Sequence, residues 1–555
     1  MKRAYKEAIV YQIYPRSFKD SNNDGIGDLR GIIEKLDYLQ YLGINTVWLS
    51  PVYSSPMDDN GYDISDYCNI LPEYGTLEDF KEMIFGMHKR GIKLIMDLVI
   101  NHSSDEHPWF LAARRDINSP YRDYYFFRKG NKNGPPNNWT SFFGGSAWEY
   151  NPDTDDYYLH LFSRKQPDLN WENLRLREEI KKILKFWLDL GVDGFRCDVI
   201  NIISKNPDLP DGKSKLPILR GKEHYLNGPK IHKYLNELKS DVFSYYDMFT
   251  VGETVMITPE TALTYIEEGC DELNMVFQFD HMGVDNYYVK WFLRKFKPKR
   301  LKKTMRKWQT ALDGKGWNSL YFENHDQPRS VNRFGNLCYR IESAKMLATY
   351  LYFQQGTPFI YQGQEIAMTN AHFTELSQYR DVETFNIYRL GRKLGFSDKR
   401  MMKKIKYMSR DNARTPMQWN ADEHAGFTKG IPWIEVNQNY KLINVEKDRD
   451  NPDSILNHYR KIITLRKEYP VAIYGNYYEY YLKSNKVAVY ERNFKNDRLL
   501  VVVNFTSKKV KLKPPYDLST YQLILNNYDE EYEEQLLPYQ AKVYYGKVFH
   551  DSGKG

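Results

Sequence analysis

Asp198, Glu253 and Asp326 lie at the ends of short apolar runs: VDGFRCDVI (192–200), MFTVGE (248–253) and NSLYFENHD (318–326). A carboxylate among apolar side chains is costly unless it is paired or put to chemical use. Three of them at three strand ends point to glycosidic bond chemistry. Hydrolysis with retained configuration needs two carboxyl groups roughly 5–5.5 Å apart. One attacks the anomeric carbon, and the other protonates the leaving oxygen and then activates water.

The surroundings suggest a division of labour. Arg196 stands two residues before Asp198, so strand alternation turns both to one side, where a guanidinium keeps the carboxylate ionised and oriented. That favours Asp198 as nucleophile. Glu253 is then the acid/base, its pKa raised by Asp198 and apolar walls. Asp326, after His325, holds sugar hydroxyls and strains the ring toward an oxocarbenium-like transition state.

Elements that could bring three strand ends together are legible along the chain. Eight strand candidates occupy residues 8–14, 44–52, 93–102, 192–200, 248–253, 275–280, 318–326 and 357–365. Helical periodicity fills residues 29–43, a stretch opening at Thr76 and residues 177–191, with Thr76 and Asp79 placed as a capping box. Alternation of this kind predicts a (β/α)8 barrel, whose strand tips converge on one mouth. The barrel takes residues 1–102 and 173–475. A loop-rich subdomain, residues 103–172, is inserted after the third strand, where Gly, Pro, Asn and aromatics replace periodicity. Short strand candidates at 486–494, 499–506, 509–513, 521–527 and 541–549 predict a C-terminal antiparallel β-sandwich over residues 476–555.

Composition agrees with a sugar-handling enzyme. Of the 555 residues, 46 are Tyr and 11 are Trp, rings that stack on sugar faces. The net charge of +7 is mild for this size and does not call for a nucleic-acid partner. The densest basic stretch, residues 293–307, reads as a solvated helix face. Cys68, Cys197, Cys270 and Cys338 show no Cys-x-x-Cys spacing, which argues against zinc and, weakly, for a reducing compartment. Glu7 and Gln12 interrupt any apolar core of signal-peptide length, and no run of about 20 apolar residues would span a membrane. We expect a cytoplasmic, monomeric enzyme acting on a small imported substrate.

DLVINH (97–102), GFRCDVIN (194–201), the Glu253 strand and ENHDQPR (323–329) resemble, in order, the four signature blocks of the α-amylase family of glycoside hydrolases. Within it the chain most resembles oligo-1,6-glucosidases, through SPMDDNGYDISDY (55–67), KQPDLNW (165–171), YLNGPKIHKYL (225–235), MVFQFDHM (275–282) and RDNARTPMQW (410–419). The resemblance implies a retaining exo-α-glucosidase acting on terminal α-1,6 bonds of isomaltose and short isomalto-oligosaccharides. By matching position, Asp59, Tyr62, His102, Arg196, His325, Asp326 and Arg414 grip the terminal glucose, with Gln166 a further candidate. Valine after the nucleophile, here Val199, accompanies α-1,6 linkages in similar enzymes. Thr254 replaces a usual methionine beside Glu253, which bears on leaving-group preference. Cys197 replaces Met, Leu or Ile and reads as apolar packing.

Three alternatives carry distinct signals. Trehalose-6-phosphate hydrolases share the machinery and the valine, but residues 219–230 look nearer the oligo-1,6-glucosidase version. Sucrose isomerases typically have Asn where Gln327 stands, and a charged Arg-Leu-Asp-Arg-Asp loop absent here. The binding-only heavy subunit of amino-acid transporters needs a membrane anchor and often lacks the carboxylates.

DSNNDGIGD (20–28) sets oxygen donors at alternate positions, Asp20, Asn22, Asp24 and Asp28, with a backbone carbonyl from Ile26 and a sharp turn at Gly25. It resembles the front of a calcium loop, although Gly31 stands where the closing Glu belongs. A solvated Asp/Asn/Gly turn fits the motif equally well. The resemblance to oligo-1,6-glucosidases, which carry a structural cation here, selects the metal, with Ca2+ expected and Mg2+ an alternative. No organic cofactor is expected.

Overall fold

The computed structural model describes residues 4–131, 134–216, 218–270, 272–287, 289–513, 515, 518–530 and 534–547. Eight parallel strands form one sheet: β1 (Val10–Ile13), β2 (Thr46–Leu49), β3 (Lys93–Leu98), β4 (Gly194–Cys197), β5 (Phe249–Glu253), β6 (Met275–Phe277), β7 (Ser319–Leu320) and β8 (Thr357–Tyr361). Neighbours pair in chain order, and β8 pairs back onto β1 with Val10 opposite Phe359. A parallel bridge from Val276 to Asn318 closes the ring between β6 and β7. The expected barrel is therefore present. Its strands are buried along almost their whole length, as apolar runs wrapped by helices require.

Local signals explain the flanking helices. The helix Leu77–Lys89 begins with the expected reciprocal box, Thr76 and Asp79 each bonding the other's backbone. The helix Leu174–Asp189 is capped by Asn173, whose side chain accepts from Leu176 N at 3.2 Å, and buries Ile180, Leu184 and Trp187. The single helix expected over 29–43 is two, Leu29–Glu34 and Leu36–Leu42, separated at Lys35. Gly194 opens β4 at φ +152°, and a Cβ there would sit 2.0 Å from Phe249 O, so only glycine lets β4 and β5 approach.

Between β3 and β4 the chain forms the helix Pro108–Arg115 and a three-stranded antiparallel sheet of Phe127–Arg128, Trp148–Asn151 and Asp156–Leu159. Phe126, Trp139, Trp148, Leu159 and Leu161 pack with Val199, Ile202 and Tyr225 of the barrel mouth. This core fastens the insertion directly over the residue that follows Asp198.

After the barrel come β9 (Asn476–Tyr480), β10 (Val487–Phe494), β11 (Asp497–Asn504), β12 (Gln522–Asn526) and β13 (Ala541–Lys547), an antiparallel sheet in the order β9-β10-β11-β13-β12. Alternation splits its faces. Ala488, Tyr490, Leu499 and Val501 join the barrel core, while Val487, Val489, Leu500 and Val502 pack with Leu536 of a two-stranded ribbon. The last two residues of the strand expected at 541–549 lie outside the described residues.

One expectation is corrected here. The basic stretch 293–307 does not present only a solvated face. Lys302, on the helix Pro298–Leu312, is fully buried and donates to the carbonyls of Tyr481 and Val487, each at 2.8 Å. Its Nζ also stands 3.6 Å from the buried Glu479. A charge pattern alone could not show that the C-terminal sheet caps this helix face.

Candidate active site

Asp198 directly follows β4, Glu253 ends β5 and Asp326 lies in the loop after β7, so all three meet at the C-terminal face of the barrel. The register sets Asp97 of β3 opposite Arg196 of β4. Arg196 is 1% exposed and sits among three carboxylates: Nη1 bonds Asp97 and reaches Asp198 Oδ1 at 2.7 Å, and Nη2 reaches Glu253 Oε2 at 2.6 Å. One planar cation thus holds the candidate nucleophile and the candidate acid/base side by side.

Charge follows from that geometry, with one departure from expectation. Burial pushes the Asp198 carboxyl well above the usual range; Arg196 pulls it back, and Glu253 and Asp97 add to the rise. Arg196 alone was expected to keep Asp198 ionised. The guanidinium is shared with Asp97 and Glu253, so it does not offset burial for Asp198 alone.

Val199 adopts the left-handed region at φ +34° and ψ +40°, rare for a β-branched residue. Its N–H donates to Glu253 Oε2 at 3.2 Å. Its side chain is buried in the apolar core beneath the insertion, so it is both wall and neighbour of the acid. Thr254 is anchored in the barrel. It is fully buried, and its hydroxyl donates to Phe277 O at 2.9 Å, which commits it to the barrel wall. Cys197 is buried packing, as read, with burial raising its thiol to about 12.

A second charged group faces this pair. Arg414 Nη2 lies 2.9 Å from Asp326 Oδ1, and His325 Nε2 lies 3.2 Å from Asp326 Oδ2. Burial works against the Asp326 charge, yet the surrounding cations hold its carboxyl far below the usual range. Burial also lowers His325 to about 3, so the imidazole is neutral. Tyr62 stacks on it, ring centroids 5.3 Å apart and planes within 8°, and its hydroxyl donates to Asp97 at 3.1 Å. Arg414 Nη1 is buried with no hydrogen-bond partner among the described residues. A sugar hydroxyl is the kind of acceptor such a donor wants.

Asp59 is pushed to about 6 by burial, against Arg410 and Arg414. Gln166 is fully buried behind it; its Nε2 donates to Asp59 Oδ2 at 3.3 Å, and His102 Nε2 contacts Tyr62 O at 3.1 Å. Every candidate barrel-mouth residue therefore belongs to one connected cluster.

Sequence reasoning missed Asp97, Arg410 and Asp381. Arg410 Nη2 bonds Asp381 at 2.7 Å and Asp59 at 3.0 Å, while Nη1 bonds Asp326 at 3.2 Å. Asp97 and Arg410 stood inside the DLVINH and RDNARTPMQW stretches, but their partners are distant in sequence. Asp381 carried no signal at all.

The metal loop is folded on itself. Asp20 accepts from the N–H groups of Asn22, Asn23 and Gly25 at 2.7–2.9 Å, and Asp24 from Ile26 N at 2.8 Å. Asp28 caps the helix Leu29–Glu34 and accepts from Ser21. Among the described residues no three His, Cys, Asp or Glu side chains gather around one point. The donors are nevertheless all oxygen, and N–H groups and hydroxyls rather than basic side chains engage these carboxylates. That chemistry fits a hard divalent cation.

A closed parallel barrel with buried carboxylates clustered at its C-terminal mouth defines a glycoside hydrolase of the barrel class. Residues 12–475 match the α-amylase catalytic domain and residues 481–550 the α-amylase C-terminal all-β domain, and the chain belongs to the α-amylase family. It is 54% identical to an oligo-1,6-glucosidase of Parageobacillus thermoglucosidasius over 97% of this chain and 98% of that one. An oligo-1,6-glucosidase of Bacillus cereus is 52% identical over 98% and 99%. The crystal structure of Bacillus licheniformis trehalose-6-phosphate hydrolase is 46% identical, with a TM-score of 0.92 over 98% of this chain and 99% of that one.

Proposed function

We infer that the chain is a retaining exo-α-glucosidase that hydrolyses terminal α-1,6-glucosidic bonds of isomaltose and short isomalto-oligosaccharides. The observation that carries the retaining mechanism is Arg196 spanning Asp198 and Glu253 with its two Nη atoms. Carboxyl groups that share one guanidinium suit the roughly 5–5.5 Å spacing of retaining enzymes better than the roughly 6.5–9.5 Å of inverting ones. The linkage rests on the two oligo-1,6-glucosidases above, which exceed the trehalose-6-phosphate hydrolase in identity.

Two steps follow. Asp198, as its carboxylate, attacks the anomeric carbon as Glu253 passes a proton to the departing oxygen; a C–O bond breaks and a glucosyl–Asp198 ester forms. Water then adds, Glu253 takes its proton, and Asp198 leaves as carboxylate. Asp326, Arg414, His325, His102 and Asp59 hold the glucose, Tyr62 offers its face, and Gln166 orients Asp59. Asp20, Asn22, Asp24, Asp28 and the Ile26 carbonyl would hold a Ca2+, which would supply loop stability and no chemistry. The enzyme works as a cytoplasmic monomer; among the described residues no helix is long and apolar enough to cross a membrane.

Side-by-side rates on isomaltose, maltose, sucrose, trehalose and trehalose-6-phosphate test this reading, with the first sugar released followed by NMR. Isomaltose should be fastest and give α-glucose first. A preference for trehalose-6-phosphate, or β-glucose as first product, would overturn it.

A further inference from the structure

Lys205 and Asp168 form an ion pair at 2.7 Å in which both side chains are 0% exposed. Breaking such a pair leaves a buried charge, yet keeping it adds little stability over apolar packing, so its position invites a functional account. Asp168 belongs to the insertion, Lys205 follows β4, and between them stands Asn101, beside His102. Lys205 Nζ lies 2.7 Å from Asn101 Oδ1. Asn101 Nδ2 lies 3.2 Å from both Asp168 Oδ2 and His102 Nδ1.

We propose that the Lys205–Asp168 pair fixes the tautomer of His102 through Asn101 and so positions it for glucose recognition. The argument uses only donor and acceptor chemistry. An ammonium has no lone pair, so the amide atom facing it must be oxygen. The carboxylate of Asp168 selects nitrogen on the other side. The Asn101 amide is thereby locked, and its N–H meets His102 Nδ1, which must present a lone pair. A neutral imidazole then carries its hydrogen on Nε2, where it donates to Tyr62 O at 3.1 Å. Gln166 Nε2 also lies 3.2 Å from His102 Nε2, but its Oε1 accepts from Ser163 N at 2.9 Å and its two N–H groups have acceptors in Tyr62 O at 3.2 Å and Asp59 Oδ2 at 3.3 Å, so neither needs a lone pair on the ring. Burial also lowers His102 to about 4, which keeps the ring neutral. His102 thus offers an N–H donor at Nε2, the atom on the Tyr62 and Asp59 side.

The consequence for glucose rests on the function proposed above; the tautomer does not. Asn101→Asp tests the lock at the same size. An aspartate presents only acceptors to Nδ1, so the hydrogen should move to Nδ1 and the Nε2 donor should vanish. Long-range proton–nitrogen NMR on the ¹⁵N-histidine-labelled full chain reads this directly, with His102→Gln assigning the signal. The paired replacement Lys205→Met with Asp168→Asn removes both charges together, and should leave the melting temperature near wild type while freeing the amide. In both variants kcat/KM on a nitrophenyl α-glucoside should fall about 10- to 100-fold, the range typical when a partner that orients a functional histidine is lost. An Nε2–H tautomer persisting in Asn101→Asp, or wild-type kcat/KM in the double replacement, would overturn the proposal. If the double replacement does not fold, Asn101→Asp alone decides. Failure of the broader reading would instead appear as wild-type inactivity on isomaltose with the His102 tautomer as predicted.

Discussion

The backbone N–H of Val199 donates to Glu253 Oε2 at 3.2 Å, which ties the acid/base to the residue beside the nucleophile. That bond exists because Val199 accepts a left-handed backbone, a conformation that costs on the order of 1–3 kcal/mol for such a residue. The strain is stored at the point where the insertion core, the end of β4 and the end of β5 meet.

Replacing either carboxyl group of the pair should stop turnover without unfolding the barrel. We expect Asp198→Asn and Glu253→Gln to lower kcat on a nitrophenyl α-glucoside by on the order of 10⁴-fold or more, as when a nucleophile or its proton partner is lost elsewhere. Azide should rescue Glu253→Ala by attacking the ester, but not Asp198→Asn. Circular dichroism should match wild type in each. Wild-type rates in Asp198→Asn would end the assignment of the nucleophile.

Arg410 should matter as much as the residues expected from sequence. It joins Asp59, Asp326 and Asp381, and its charge opposes the burial that raises Asp59 to about 6. Removing that charge in Arg410→Gln should raise the Asp59 pKa further. An acid limb of the kcat/KM profile is expected near pH 6 in the wild type if Asp59 sets it, and should then move to higher pH. Misplaced sugar contacts should cost on the order of 10²-fold in kcat/KM. An unmoved acid limb would show that Asp59 does not set it.

What was legible in the chain was whatever strand and helix periods encode locally. The alternation that pointed Arg196 and Asp198 to one side, the box at Thr76 and the eight apolar runs all follow from neighbours within a turn or a pleat. Arg410 reaches Asp59 across 351 positions, and Lys302 reaches Val487 across 185. No spacing rule spans such gaps, because the barrel closure and the sheet that covers it create them. The rise at Asp198 was equally hidden, since it depends on burial and on a cation shared among three acids.

The joint between barrel and C-terminal sheet should respond to pH in a definite direction. Glu479 is buried there, and burial raises its carboxyl from 4.5 to about 7 despite Lys302 and Arg306. Folding therefore favours the protonated form. Between about pH 4.5 and 7 the native state binds the extra proton, so this contribution is full below the unfolded pKa and is lost as pH rises through the folded one. Glu479→Gln keeps a neutral side chain throughout. Relative to wild type, its melting temperature should improve between pH 5 and pH 8 in scanning calorimetry. A gap independent of pH would mean that Glu479 does not titrate in this range.

Removal of divalent ions should loosen the first βα connection and leave the chemistry alone. The loop concentrates Asp20, Asp24 and Asp28 within nine residues, and among the described residues N–H groups, an Asn amide and hydroxyls engage them. Like charges that close repel one another, and a cation bound only by the folded loop stabilises it by mass action. At a hundredfold excess of ion over Kd that amounts to about 2.7 kcal/mol. EDTA should therefore lower the melting temperature, Ca2+ should restore it, and Asp20→Ala should abolish the response. Because Asp198, Glu253 and Asp326 lie on other strand ends, kcat on isomaltose at low temperature should stay within about twofold of wild type; surface changes away from a reacting centre rarely reach further. A melt indifferent to EDTA, with no calcium retained by the purified protein in elemental analysis, would leave the loop as a hydrogen-bonded turn whose Asp28 serves only to cap the helix that follows.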